Sequence, residues 1–192
     1  MTPTLPALDP RRTALLVMDY QAGILGRLPG AEDLLARAAD AIAILRGQGG
    51  HVGYVRVAFE DADYDAVPAH SRFAPLLATA GPTMHSDSPA TAVHDTVAPE
   101  PGDIIVRKTR VGAFSTTDLD EQLRKREIDT LILAGISTSG VVLSTVRDAA
   151  DRDYQVFVLA DASADRDPEV HEFLISQAPF PLLSSQPTKR TA

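Results

Sequence analysis

Cysteine is absent from all 192 residues. That excludes a disulfide framework, a thiolate metal site and every mechanism that needs a cysteine nucleophile. Basic residues are in deficit, 18 Lys and Arg against 26 Asp and Glu, which leaves a net charge of −8. A surface of that sign repels phosphate backbones and anionic lipid, so no nucleic-acid or membrane partner is expected. The longest apolar runs, such as Ala14 to Met18 and Leu131 to Ile136, fall far short of the ~20 residues that span a bilayer. The first ten residues hold three prolines and no basic start leading into an apolar stretch. They do not read as a secretory signal, and a cytoplasmic protein is expected.

What is present fits one globular domain, since the length suits a single sizeable core and 44% of the residues are hydrophobic. Thr13 to Met18 is a nearly unbroken apolar run, the pattern of a strand buried on both faces, and it ends at Asp19. From Ala31 to Arg46 the residues Leu34, Leu35, Ala38, Ala41, Ile42 and Leu45 recur at helical spacing, and Gly47, Gly49 and Gly50 stop the helix. His51 to Phe59 reads as a second strand, giving a β-α-β unit. Glu60 to Pro101 carries six prolines and reads as a long excursion with one short helix near Ser71 to Ala78. Asp103 to Val106 is a third strand running to Arg107 and Lys108, and Asp118 to Arg126 a helix. Thr130 to Ile136 is a fourth strand, Val141 to Arg152 a helix, Tyr154 to Leu159 a fifth strand and Glu169 to Ser176 a last helix.

Five strands alternating with helices imply an α/β fold: a three-layer α/β/α sandwich around a mostly parallel, doubly wound sheet. Residues 1–176 form the expected domain. Residues 177–192 have three prolines and no β-branched run, so they read as a loosely packed tail rather than a further strand.

Ligands of open parallel sheets bind beyond the carboxyl ends of the strands. Three features fall there: Asp19 after the first strand, Lys108 after the third and the Gly135 to Val142 turn after the fourth. A carboxylate and an ammonium brought together can share a proton for acid-base work. Singly, an Asp or Lys at a strand end is more often a cap or a surface charge than a catalyst. The turn, Gly-Ile-Ser-Thr-Ser-Gly-Val-Val, is a strand-to-helix elbow whose backbone N–H groups are expected to face an oxyanion. Such elbows offer a nucleophile at the first helical turn, and here that residue is Val141.

The blocks Asp19-Tyr20-Gln21, Lys108 with Arg110, Ala113 and Phe114, Gly135 to Ala149, and Val158 to Ala162 resemble, in order and spacing, the isochorismatase-like hydrolase superfamily. The resemblance covers about residues 12 to 175. It implies that Asp19 and Lys108 take two places of an Asp-Lys-Cys triad and that Val141 takes the cysteine's. Valine forms no acyl-enzyme. The resemblance also implies a cis peptide bond between Ile136 and Ser137, and a homodimer or larger homo-oligomer. The family's metal-binding branch uses an Asp and histidines after the second strand. Glu60, Asp61, Asp63, Asp65 and His70 lack that branch's spacing, so no metal and no other cofactor are expected, and the acidic cluster reads as a solvated loop.

The isochorismatases proper form a cysteine-free branch that hydrolyses a vinyl ether, a reaction that needs an acid and no nucleophile. By that resemblance Asp19 is the acid and Lys108 its partner. That branch has glycine where this chain has Val141, and an aromatic residue in the turn that here begins with Ser137. The expected function is cysteine-independent hydrolysis of a small metabolite. Its pocket is expected to include Gln21, Phe59, Phe114, Ser137, Thr138, Ser139, Gly140 and Val141. Two alternatives stand beside it: a binding protein without catalysis, and a serine-dependent amidase using a hydroxyl of the turn.

Overall fold

The computed structural model describes residues 8–177 and 181–185. In chain order the elements are β1 (Thr13–Met18), α1 (Ala22–Leu25), α2 (Ala31–Gly47), β2 (His51–Val57), α3 (Asp61–Asp65), α4 (Ala74–Ala80), β3 (Ile104–Lys108) and α5 (Leu119–Lys125). They continue with β4 (Thr130–Gly135), a wide helical turn over Thr138–Val142, α6 (Leu143–Asp151), β5 (Gln155–Leu159), α7 (Pro168–Ser176) and β6 (Leu182–Leu183).

The strands form one sheet in the order β3-β2-β1-β4-β5-β6, every pair parallel. Alternation along β1 explains the layers. Ala14, Leu16 and Met18 pack into a core with Leu119 and Leu123 of α5 and Val146 and Ala149 of α6. Leu15 and Val17 face the other way, against Leu34, Leu35, Ala38, Ile42 and Leu45 of α2. Every β1 residue is buried, and each large apolar side chain so placed contributes about 1.5–3 kcal/mol of transfer free energy. The expected three-layer α/β/α arrangement is therefore what the chain adopts. The winding reverses between β1 and β4, which sit side by side with Met18 opposite Gly135. That reversal opens a crevice at the carboxyl edge of the sheet.

Three expectations need correction. The long excursion holds two short helices rather than one, because Glu60 and Asp63 form a reciprocal capping box that starts α3. The second helix, α4, begins at Ala74, with Pro75 in its first turn. The elbow winds as a wide turn from Thr138, ahead of the regular helix. Finally, Leu182–Leu183 does add a sixth strand, pairing with Val158 and Leu159. Two residues suffice because Asp161 accepts hydrogen bonds from the Ser185 N–H and from the Ser184 and Ser185 hydroxyls, pinning the strand's end. Residues 178–180 and 186–192 of the expected tail lie outside the described residues.

Candidate functional site

Asp19 follows β1 with φ +61°, a left-handed conformation in which a non-glycine residue is strained. It is held there from both sides. Its own N–H donates to the Val55 carbonyl at 2.8 Å, and its carbonyl accepts from the Gln21 N–H at 2.8 Å. Gln21 acts as a clamp: its amide donates to the Val57 and Thr91 carbonyls and accepts from the Val57 N–H. This side chain joins the ends of β1 and β2 to the long excursion.

Lys108, the last residue of β3, is 2% exposed. Its ammonium donates to Asp19 Oδ2 at 2.9 Å, to the Val111 carbonyl at 3.0 Å and to the Arg110 carbonyl at 3.3 Å. All three N–H bonds are thus occupied, and the ammonium is fixed rather than free to swing. Asp19 is 5% exposed, and its Oδ1 has no hydrogen-bond partner among the described residues. Burial pushes the Asp19 carboxyl above the usual carboxylate range, with Lys108 pulling the other way. Elements far apart in sequence therefore build one buried acid with one free oxygen.

That pair lines a cavity of about 270 Å³ together with Val57, Arg72, Phe73, Leu76, Val111, Ile136, Ser137, Gly140 and Val141. The Ile136–Ser137 peptide bond is cis, at the place the resemblance implies. Gly135 permits the elbow to lie close to the sheet: a Cβ there would come within 3.0 Å of Val142 and 3.1 Å of Val141. Gly140 has the same role toward Ser137, whose Oγ a Cβ would meet at 2.6 Å. Val141 is buried and presents only methyl groups where a nucleophile would stand.

Part of the elbow's set of N–H donors is turned inward, onto the protein itself. The Thr138 N–H donates to the Ala164 carbonyl, the Ser139 N–H to the Asp165 carboxylate, and the Gly140 and Val142 N–H groups to the Ser137 carbonyl. Those four donors are engaged within the protein, and the N–H groups of Ser137 and Val141, both on the cavity wall, are not among them. Thr138 is buried with its hydroxyl 2.7 Å from His171 Nδ1 on α7, off the cavity wall, and Ser139 is exposed.

Of the expected pocket residues, the structure thus brings Ser137, Gly140 and Val141 beside Asp19 and Lys108. Gln21 lines a larger adjoining cavity. The two phenylalanines lie in the core instead of the wall. Phe59 is fully buried against Tyr64 and Phe73, and Phe114 stacks on Tyr154 beneath the Arg152 guanidinium. Phe73, tilted against Phe59, is the aromatic residue that lines the cavity. Arg72, Phe73 and Leu76 were not legible beforehand, since the excursion carries no periodic signal.

Local contacts engage Glu60, Asp61 and Asp63 of the acidic cluster. Asp63 pairs with Arg107 at 2.5 Å, Glu60 lies 3.3 Å from the same guanidinium, and Asp61 and Asp87 flank His85. Among the described residues no three His, Asp or Glu side chains are grouped so as to hold a metal ion, and no helix is long and apolar enough to cross a membrane.

Comparison with known proteins agrees with this geometry. The isochorismatase domain model matches residues 13–183. A ureidoacrylate amidohydrolase from Methylobacterium radiotolerans is 34% identical, covering 85% of this chain and 71% of its own length. A probable isochorismatase from Pseudomonas chlororaphis is also 34% identical, covering 90% and 81%. Among solved structures, an isochorismatase family protein from Burkholderia thailandensis superposes with a TM-score of 0.78 at 28% identity, covering 95% of both chains. N-carbamoylsarcosine amidase from Thermoplasma acidophilum does so with 0.75 at 27%, covering 93% of this chain and 99% of its own. The chain therefore belongs to the isochorismatase family of hydrolases, with a buried Asp19–Lys108 pair and with valine at position 141, where the expected nucleophile is missing.

Proposed function

We propose that this chain hydrolyses a small metabolite by acid catalysis at Asp19, without a covalent intermediate. The observation that carries the reading is the Asp19 carboxyl itself: buried, raised in pKa, held through Oδ2 by Lys108, with Oδ1 buried and unpartnered among the described residues, on a residue that lines the cavity. A carboxylic acid kept protonated in an apolar setting is a proton donor. Vinyl-ether hydrolysis suits such a group. Asp19 gives its proton to the terminal alkene carbon, the resulting oxocarbenium ion takes up water, and the hemiketal breaks into an alcohol and a ketone. One water is consumed, and its surplus proton restores Asp19. No oxyanion forms in the first step, so this route does not depend on an oxyanion site in the elbow.

Two relatives are named for amide or ureido hydrolysis, and Ser137 lines the cavity. A serine route still lacks a base, because no hydrogen bond joins Ser137 Oγ to Asp19, Lys108 or His171. The third reading, binding without turnover, gives no role to an Asp19 held buried in a left-handed conformation beside Lys108.

A panel of small vinyl ethers, amides and ureido acids, assayed with wild type and Asp19→Asn, separates these readings. Turnover lost in Asp19→Asn supports acid catalysis, and turnover indifferent to it refutes the proposal. Saturable binding with no turnover favours the non-catalytic reading. An electrophilic hydroxyl-directed probe that labels Ser137 favours the amidase. We also infer a homo-oligomer. Phe173 on α7 is 64% exposed and Ile105 on the edge strand β3 is 52% exposed, and light scattering that finds only monomer at micromolar concentration overturns that inference.

A further inference from the structure

The larger cavity, about 680 Å³, adjoins the smaller one through a common wall of Val57, Arg72, Leu76, Ile136 and Ser137. Its size is that of a site for a whole small molecule. Ile24, Leu28 and Met84 supply apolar surface, and three arginines stand around it: Arg27, Arg72 and Arg166. None of the three guanidiniums has an ion pair or a side-chain hydrogen bond among the described residues, whereas Arg12, Arg46, Arg107 and Arg152 are each paired with a carboxylate, in a chain whose net charge is −8.

The two carboxylates on the same rim are already engaged. Asp165 accepts from the Ser139 N–H and Asp167 from the Glu169 N–H, each at a helix start. The cavity therefore holds three cationic forks without partners and two anions with partners. Guanidinium forks match the planar oxygens of carboxylates and the faces of phosphates.

Resting on the reading of Asp19 as the reacting group, we propose that the larger cavity is an anion-recognition subsite. Arg27, Arg72 and Arg166 would hold a carboxylate or phosphate at one end of the substrate, while the other end reaches Asp19 through the shared wall. Arg72, the one arginine that lines both cavities, lies at the junction. The substrate class is then an acid whose anionic group is remote from the bond that breaks, with a short apolar skeleton between them.

Titration calorimetry on the full chain tests this without turnover, using succinate and inorganic phosphate as probes and succinamide as the neutral control. Either anion should bind at low salt and weaken at high salt, while succinamide should not compete. Arg27→Gln, Arg72→Gln and Arg166→Gln change exposed side chains, so the fold should persist. Each should raise the Kd about tenfold, whereas the remote, exposed control Arg11→Gln should leave it unchanged. Tighter binding of succinate assigns a carboxylate tail, and tighter binding of phosphate a phosphorylated one. Absence of binding by both anions, or arginine variants that behave like Arg11→Gln, overturns the subsite. Anion binding that survives in Asp19→Asn, together with turnover indifferent to that substitution, refutes the acid mechanism alone and leaves the subsite standing.

Discussion

Lys108 Nζ lies 2.9 Å from Asp19 Oδ2, with both side chains buried, and Asp19 Oδ1 is left buried without a hydrogen-bond partner among the described residues. It joins the end of β3 to the end of β1 across the intervening β2. The ion pair and the site are the same feature.

Removing the ammonium should make stability depend on pH. Burial raises the folded-state pKa of Asp19 above its ordinary value. Between those two values the folded chain keeps a proton that the unfolded chain has released, so stability falls as pH rises through that window. Lys108 opposes the rise, and without it the window extends upward. Lys108→Met should be close to wild type at about pH 4 and lose about 3 kcal/mol by neutral pH, the scale of a broken buried pair. Urea melts across pH check this, and a loss equal at every pH would contradict it.

Val141 should serve as wall and not as reactant. Val141→Ala removes two buried methyl groups and should cost about 1–2.5 kcal/mol. Turnover should change by less than about tenfold, with the pH profile kept, since truncation removes no proton-carrying group. Steady-state kinetics beside a denaturant melt separate the two effects.

Gly135 should tolerate no side chain. The Cβ of Gly135→Ala would press on Val142, Val141 and Met18 at 3.0, 3.1 and 3.2 Å, all within the packed core. A loss of about 1–3 kcal/mol is expected from overpacking, with turnover reduced because the elbow is pushed from the sheet. Gly47→Ala, in open space at the end of α2, is the control that should not destabilise.

The sixth strand should depend on Asp161. Its carboxyl is held below the usual range: burial acts to raise it, and the Ser185 and Ser184 hydrogen bonds outweigh that. The anchoring is therefore present above the ordinary carboxylate pKa and lost as pH falls through the depressed one. Asp161→Ala should speed hydrogen exchange at the Val158 amide, which donates to the Pro181 carbonyl, and leave the Leu16 amide in β1 protected.

The sequence made the layers legible because β1 and α2 obey simple periods, and strands buried on both faces cannot be mistaken for solvent-facing ones. Asp19, Lys108 and Val141 were legible as strand-end and elbow positions. Three other matters depend on tertiary contacts. Phe59 and Phe114 follow strands, as pocket residues do, but their rings find aromatic partners in the core. The Thr138 and Ser139 N–H groups looked available until Ala164 and Asp165, from the segment after β5, came to meet them. Leu182–Leu183 is too short, and lacks the β-branched residues, to read as a strand, and its pairing with β5 is completed by the distant Asp161.

The pH dependence of kcat/KM, measured on whichever panel substrate responds, tests the role of Asp19 most directly. An acid must be protonated to act, so the rate should fall as pH rises through the raised pKa of Asp19, and Asp19→Asn should lack that limb. A rate that instead climbs with pH, as a hydroxyl nucleophile activated by a base requires, would contradict acid catalysis at Asp19.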